Sequence, residues 1–202
     1  MTSGTSIGAD AGTGGAAGAG RSRAAFDILT RGFDHPDARR LNDLVQAEYA
    51  ARYGDEGDVT PLEPGMFAPP RGRYLLAYDA GGRPVASGGW RARNAGPGSE
   101  GDDADGGDDG EGDGNYRDGD AEIKRMYVAP EARRAGLARR ILALLEEDAR
   151  RAGRIRMVLE TGIAQPEAIA LYESSGYLRL PEAEKFGVYR FSRTSRCYAK
   201  PL

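Results

Sequence analysis

The segment best suited to chemistry is a loop of arginines and small residues, which reads Arg133-Arg134-Ala135-Gly136-Leu137-Ala138. Gly136 and Ala138 are small where a helical pattern begins, so an anion could approach the free N–H groups of the first turn. The helix dipole favours negative charge at that end, and two arginines stand beside it. The loop therefore predicts a site for a phosphate or pyrophosphate.

Two common nucleotide-binding motifs do not account for this loop. A Walker loop requires Gly-Lys-Ser/Thr, and that sequence does not follow here. A dinucleotide fingerprint requires Gly-x-Gly-x-x-Gly within a repeated βαβ pattern, and neither is present in the sequence. The anion is therefore expected to belong to another class of ligand.

The loop lies between a predicted strand and a predicted helix. Residues 123–128 are rich in β-forming side chains, and Pro130 then ends the strand because it has no N–H for a ladder. From there the apolar spacing becomes helical, and Gly153 ends the helix. The predicted core-facing stripe consists of Leu137, Ile141, Leu144, Leu145, Ala149 and Ala152. Residues 155–161 read as the next strand, so this βαβ unit predicts a parallel strand pair.

These residues carry a family resemblance. Arg133-x-x-Gly136-x-Ala138, after the strand end Met-Tyr-Val-Ala-Pro-Glu, resembles the acyl-CoA signature Arg/Gln-x-x-Gly-x-Gly/Ala of the GNAT superfamily of N-acetyltransferases. A second block at residues 159–177 resembles the family's later strand and helix, which end in Ala-x-x-Leu-Tyr-x-x-x-Gly-Tyr/Phe. The resemblance covers about residues 25–202. It implies an α/β fold with a mixed, mostly antiparallel sheet, split around the cofactor and covered by helices on both faces.

The resemblance implies direct transfer of an acetyl group from acetyl-CoA to a primary amine, with a small molecule favoured as acceptor. The loop backbone would hold the pyrophosphate, a splayed strand would offer backbone groups to the thioester, and Gln165 stands where many members have an Asn that contacts the pantetheine arm. The implied cofactor contacts are Met126, Val128, Arg133, Arg134, Gly136, Leu137, Ala138, Arg139 and Gln165.

The same resemblance implies three acid–base candidates. Tyr172 occupies the family's general-acid position, and a phenol can protonate a leaving thiolate of similar basicity. Glu122 matches a carboxylate that several members use as a base, and Glu160 on the next strand is the second candidate. The structural alternatives are a packed aromatic for Tyr172 and a salt-bridged strand-end acid for Glu122. A water relay could also replace a protein base.

Several segments are expected to surround the acceptor. The first predicted helix and the loop at residues 54–72 supply Tyr49, Tyr53, Met66 and Phe67, for which core packing is the alternative to substrate contact. The polar segment at residues 181–195 should complete the pocket. Two strands, residues 73–78 and 84–90, form a predicted hairpin, and the glycines at 88 and 89 favour a bulge or a close approach of a ligand.

The domain limits follow from composition. Residues 1–22 are mostly Gly, Ala, Ser and Thr and predict a disordered tail, so the GNAT domain is assigned to residues 23–202. Residues 94–120 are acidic and glycine-rich and predict a disordered insert within it. The insert partly matches a calcium loop, but Glu111 and Asp120 depart from that pattern and no helices flank it. A solvated linker is the better interpretation.

Composition also narrows the class of protein. The single Cys197 and the lack of an apolar run of about 18 residues predict a cytoplasmic protein with no membrane partner. Nine arginines lie between residues 125 and 156, but two can pair with Glu on the helix and no aromatic stacking platform interleaves them, so nucleic acid is not an expected partner. One histidine, His35, excludes a multi-histidine metal site, and no metal is expected. A homodimer is possible, and no sequence pattern decides it.

Two other function classes remain open from the sequence. The first is a non-catalytic acyl-CoA-binding sensor or regulatory domain, against which the intact Tyr172 argues because a sensor has no need of an acid. The second is an acidic interaction protein that works through residues 94–120.

Overall fold

The computed structural model describes residues 26–54, 57–94 and 114–202. The predicted tail at residues 1–22 lies outside the described residues, as does the larger part of the predicted insert. The helices formed by the described residues include none that is long and apolar enough to cross a membrane.

The described residues form a seven-stranded sheet with helices packed against it. The strands are β1 (Asp27–Thr30), β2 (Gly72–Tyr78), β3 (Pro84–Arg93), β4 (Asp120–Val128), β5 (Arg156–Gly162), β6 (Leu178–Arg179) and β7 (Ser195–Pro201). The helices are α1 (Pro36–Tyr53), α2 (Leu137–Arg151) and α3 (Pro166–Glu173), with short 3₁₀ turns at Pro64–Phe67, Pro130–Ala132 and Glu182–Glu184. The spatial order of the strands is β1-β2-β3-β4-β5-β7-β6.

The sheet is mixed and mostly antiparallel. Within the described residues β4 and β5 are the parallel pair, joined through α2, and the other five pairings are antiparallel. The βαβ unit predicted from the change of hydrophobic period is therefore confirmed. The predicted α/β fold, with a mixed sheet between helices, is confirmed as well.

Helices cover both faces of the sheet. Side chains alternate between faces along a strand, and cross-strand partners share a face. The Tyr74 hydroxyl of β2 donates to Asn42 of α1, whereas the Trp90 indole of β3 donates to Asp148 of α2. Because Tyr74 pairs with Gly89, the neighbour of Trp90, α1 and α2 lie on opposite faces.

The buried stripe of α2 differs from the prediction at one leucine. Leu144 is 44% exposed, and Leu142 is buried instead. At 100° per residue Leu144 falls at the edge of the stripe that Ile141, Leu145 and Ala149 define, on the solvent side. The remaining stripe residues hold α2 against the sheet and so fix the position of its first turn.

The end of the predicted insert is part of the packed structure. Tyr116 is buried and its hydroxyl donates to Glu122 at 2.8 Å. Asp120, predicted as the last insert residue, begins β4 and accepts two hydrogen bonds of 2.7 Å from Arg156. Local composition does not indicate this boundary, because Asp120 is held by Arg156, which lies 36 residues away in the sequence.

Candidate active site

β4 bends at a bulge before it reaches the loop at residues 133–138. Ser87 pairs with Tyr127 and Gly89 with Lys124, so two residues of β4 face one residue of β3. Arg125, the first of the two, has a φ of 56°. Gly88 lies opposite, and a Cβ there would stand 2.3 Å from the sulfur of Met126. The predicted bulge at these glycines is confirmed.

β4 separates from β5 after Glu122, before it reaches the bulge. Within the described residues the two strands pair from Asp120↔Arg156 to Glu122↔Val158, whereas β5 continues to pair with β7 as far as Gly162↔Ser195. The second half of β4, with Met126 and Val128, therefore borders a gap in the sheet. Strand edges beside such a gap offer N–H and C=O groups to an extended ligand.

The loop at residues 133–138, which the sequence predicts as an anion site, meets this gap at the first turn of α2. Gly136 is the residue before the helix and has a φ of 75°, a left-handed conformation that favours glycine. The N–H of Arg140 makes the first helical bond, 3.2 Å from the carbonyl of Gly136. The N–H groups of Leu137, Ala138 and Arg139 therefore point out of the helix, as an anion site requires.

Two arginines at the loop and the start of α2 make contacts within the chain. The Arg133 guanidinium donates to the carbonyl of Val128 at 3.0 Å and pairs with Glu48 of α1 at 2.9 Å. Arg139 donates to Ser174 at 2.8 Å, which ties α2 to the end of α3. Arg133 thus bridges β4 and α1, and Arg134, with a φ of 65°, shapes the turn.

A cavity of about 170 Å³ opens on the gap between β4 and β5. Its wall is formed by residues of α1, of the segments at 54–72 and 181–195, of β4, of the ends of β5 and β7, and of the turn before α3. They are Tyr49, Tyr53, Gly57, Asp58, Lys124, Glu160, Thr161, Gly162, Gln165, Tyr189, Ser192, Thr194 and Ser195. The expectation that residues 54–72 and 181–195 shape a pocket is consistent with this wall.

Glu160 has the properties of a general base at this cavity. Its side chain accepts a hydrogen bond from Ser195. Burial raises its pKa to about 7, although the Ser195 bond and the charge of Lys124 oppose the shift. A carboxylate with a pKa near 7 takes up and releases a proton readily at neutral pH.

Glu122 is placed as a structural anion. Its carboxylate is fully buried and lies 2.8 Å from Arg91 and 3.0 Å from Lys124, and it also accepts from Tyr116. Burial alone would raise its pKa, but the charges of Lys124, Arg91 and Arg93 outweigh burial and lower it to about 2. A carboxylate held this firmly in its charged form is a weak base, so the geometry favours Glu160 over Glu122.

Replacing Glu122 with Gln is expected to destabilise the fold by about 3 kcal/mol at pH 7, because buried cations lose their anion. The lowered pKa stabilises the folded state above the ordinary Glu value of 4.5, and this stabilisation is lost as the pH falls towards 2. Urea unfolding at pH 7 and pH 3 should therefore show a smaller difference between wild type and Glu122→Gln at the lower pH. Glu147→Gln, which changes a surface pair, is the control and should alter little. A pH-independent difference would contradict the ion-pair explanation.

Tyr172 lies on α3 and is not among the residues that line the cavity. It is 5% exposed, and its ring meets that of Tyr177 edge-on with centroids 5.7 Å apart. Burial raises the pKa of Tyr172, and Tyr49, a cavity residue, raises it further through its charge. The phenol therefore stays protonated at neutral pH and lies near the cavity wall.

Gln165 and the α1 tyrosines meet at the same wall. Gln165 precedes α3, and its amide donates to the hydroxyl of Tyr53 at 3.2 Å. A Cβ on Gly162 would stand 1.8 Å from that hydroxyl, so only glycine leaves room for Tyr53. Tyr49 and Tyr53 thus line the cavity as predicted for substrate contacts. Phe67 stacks on Phe33 in the core, as its packing alternative predicted.

The sequence did not single out several cavity groups, among them Lys124, Ser195 and Tyr189. Lys124 lies on β4 two residues before the cofactor candidate Met126, and strand alternation places it on the face of Glu122 and Glu160. That alternation was available from the sequence. Ser195 and Tyr189 come from a polar segment without periodicity, so nothing in it indicated which side chains turn inward.

The comparisons with known proteins agree with this geometry. A model of the Acetyltransferase (GNAT) family matches residues 38–177. A curated Azospirillum brasilense protein named IAA acetyltransferase is 40% identical over 84 residues, which cover 42% of this chain and 53% of that protein. The matched segment thus spans about half the length of that relative.

Solved structures share the fold over nearly the whole described chain. A candidate acyl-CoA N-acyltransferase from Klebsiella pneumoniae has a TM-score of 0.64 at 25% identity and covers 88% of this chain and 97% of its own. N-acetylglutamate synthase from Neisseria gonorrhoeae, solved with coenzyme A and N-acetyl-glutamate, has a TM-score of 0.56 at 16% identity, covering 87% of this chain and 35% of its own. The second likeness concerns the fold alone.

Proposed function

The chain belongs to the acetyltransferase (GNAT) family, and from this premise we propose that it transfers an acetyl group from acetyl-CoA directly to the primary amine of a small molecule. The observation that carries the proposal is the position of Glu160, a carboxylate with a pKa near neutrality on the wall of a cavity that opens on the β4–β5 gap. The cavity volume of about 170 Å³ fits the amine-bearing end of a small molecule.

The cofactor is proposed to enter along the gap. Its pyrophosphate would accept from the free N–H groups of Leu137, Ala138 and Arg139, where the dipole of α2 adds a favourable charge. Its extended arm would use the edge of β4 around Met126 and Val128. Because the guanidinium of Arg133 holds the Val128 carbonyl, this side chain has to move if the arm bonds to that carbonyl.

The proposed step needs two proton transfers, one on each side of the sheet. Glu160 faces the α1 side, where it would accept the proton of the attacking amine. As the carbon–sulfur bond breaks, the leaving thiolate would receive a hydrogen bond and then a proton from Tyr172 on the α3 side. After the transfer, Glu160 would release its proton to solvent and Tyr172 would take one up.

An amine screen tests the proposal. Thiol release from acetyl-CoA should depend on an added primary amine, and the product should carry one acetyl group on nitrogen by mass spectrometry. Tight acetyl-CoA binding without amine-dependent release from a broad panel would favour the sensor alternative. Absence of acetyl-CoA binding would remove the proposal altogether.

Tyr172→Phe is expected to lower kcat at saturating acetyl-CoA by about 10- to 100-fold, because the leaving sulfur loses its proton donor. The Kd of acetyl-CoA should change less than threefold, since the ring remains. Tyr177→Phe is the matched control: it removes a hydroxyl that donates to Glu146 at 3.0 Å within the same ring pair. That variant should lose stability while keeping kcat. Equal turnover of Tyr172→Phe and wild type would rule out the acid role.

A further inference from the structure

Several exposed apolar side chains belong to the segments that line the cavity. Nine large hydrophobic side chains of the described residues are exposed, and four of them flank cavity residues in the chain. Val59 follows Asp58, Ile163 follows Gly162, and Val188 and Phe191 lie next to Tyr189 and Ser192. Their exposed fractions are 56%, 47%, 43% and 85%. We call these four residues the apolar rim.

Hydrogen bonds hold the segments of the apolar rim beside one another. The N–H of Val59 donates to the hydroxyl of Tyr189 at 2.8 Å. This bond joins the segment at residues 54–72 to the segment at residues 181–195. The N–H of Ile163 donates to the carbonyl of Thr194 at 2.8 Å. The N–H of Ser192 donates to the carbonyl of Tyr189 at 2.9 Å and closes the turn that carries Phe191. The segments that carry the rim therefore lie side by side, and each also contributes residues to the cavity wall.

Exposed apolar side chains grouped around a binding cavity indicate a ligand that covers them. The cavity itself offers hydroxyl groups, Lys124 and the carboxyl of Glu160, so it suits the polar end of a ligand. The Arg190 guanidinium lies 4.6 Å from the ring centroid of Phe191. This contact orients the ring, and most of its surface stays exposed to solvent.

We propose that the acceptor is an amphipathic primary amine whose amino group enters the cavity towards Glu160 and whose apolar chain or ring lies on the rim of Val59, Ile163, Val188 and Phe191. This inference rests on the proposed function and adds the acceptor's chemical class to it. The small cavity admits an unbranched amine end, and the rim then covers the next few carbon atoms. A terminal amine on an alkyl or arylalkyl group has this shape.

A series of unbranched alkylamines from ethylamine to octylamine tests the class, because these amines have nearly equal basicity and differ in apolar length. The full-length protein is assayed for kcat/KM at saturating acetyl-CoA. Full burial of one methylene corresponds to about a fourfold gain, so a half-open rim should give about two- to fourfold per methylene over several carbons. Phe191→Ser should reduce the slope, which is the gain in kcat/KM for each added methylene, and leave the ethylamine rate unchanged. Leu178→Ser, at a 71% exposed leucine on β6, is the matched control and should keep the slope.

The outcomes separate this inference from the function on which it rests. Acetylation of short and long amines at equal rates, or an equal slope in Phe191→Ser and wild type, would overturn the rim assignment and leave the transferase proposal in place. Absence of acetylation for every amine would count against the proposed function first. Sedimentation of wild type and Phe191→Ser gives a second readout: dissociation of a dimer by the substitution would assign the rim to a contact between copies and overturn the proposal.

Discussion

Glu160→Gln is expected to lower kcat by about 10²- to 10⁴-fold, the range that one positioned general base contributes. Gln has nearly the same shape and keeps an oxygen that can accept from Ser195, so the cavity wall should persist. What it loses is the ability to take a proton from the amine. The Kd of acetyl-CoA, measured by calorimetry, should stay within threefold of wild type because Glu160 faces the acceptor side.

The pH profile identifies the base more specifically than the rate loss. A base works in its deprotonated form, and the pKa of Glu160 is raised to about 7. The wild-type kcat/KM, which reports the groups of the free enzyme, should therefore rise with pH through a midpoint near 7. Glu160→Gln should lose this midpoint. A midpoint near 7 that persists in the variant would assign the titration to another group and contradict the proposed role.

Glu122→Gln serves as the control for Glu160, because the two carboxylates lie on the same face of neighbouring strands. With a pKa of about 2, Glu122 is charged throughout the assay range and contributes no titration near 7. Its loss should lower the urea midpoint, and it should move the pH midpoint downwards without removing it, because the charge of Glu122 helps to raise the pKa of Glu160. A greater loss of kcat in Glu122→Gln than in Glu160→Gln would restore Glu122 as the base.

The sequence predicts the scaffold of the site better than its acid–base chemistry. The change of period after Pro130, the small residues at Gly136 and Ala138 and the glycines opposite the bulge are local signals, and the structure confirms the elements they predict. The ranking of Glu122 above Glu160 follows from strand position alone. Their pKa values depend on Arg91, Lys124 and Ser195, which come from three different strands, and no local pattern reports that environment.

The side chain of Arg133 shows the same limit at the cofactor loop. Its position in the motif predicts charge for a pyrophosphate, and that prediction treats the side chain as free. In the folded chain Glu48 of α1 lies within 2.9 Å of the guanidinium and the Val128 carbonyl takes a second hydrogen bond. An exposed ion pair of this kind contributes under about 1 kcal/mol, so a doubly charged ligand can displace it. The backbone of the loop, whose conformation Gly136 fixes, is therefore the more dependable part of the proposed anion site.

Gly136→Glu is accordingly expected to weaken acetyl-CoA binding by at least 100-fold in a calorimetric titration. The change places a carboxylate where the pyrophosphate is proposed to lie and strains a residue whose φ is 75°. Loss of two charge-assisted hydrogen bonds at about 1.5–3 kcal/mol each is sufficient for this factor, before repulsion is counted. A negative group at a helix N-terminus interacts favourably with the dipole, so part of the strain in the folded state is offset.

Gly153→Glu is the matched control at the other end of the same helix. Gly153 has a φ of 77°, and a Cβ there meets nothing within 4 Å, so the backbone strain is comparable and no side chain is displaced. Its carboxylate would stand at the negative end of the dipole, which makes it the less stable of the two variants. Its Kd for acetyl-CoA should nevertheless equal that of wild type. Weakened binding in both variants would trace the effect to the stability of α2, and unchanged binding in Gly136→Glu would place the pyrophosphate elsewhere.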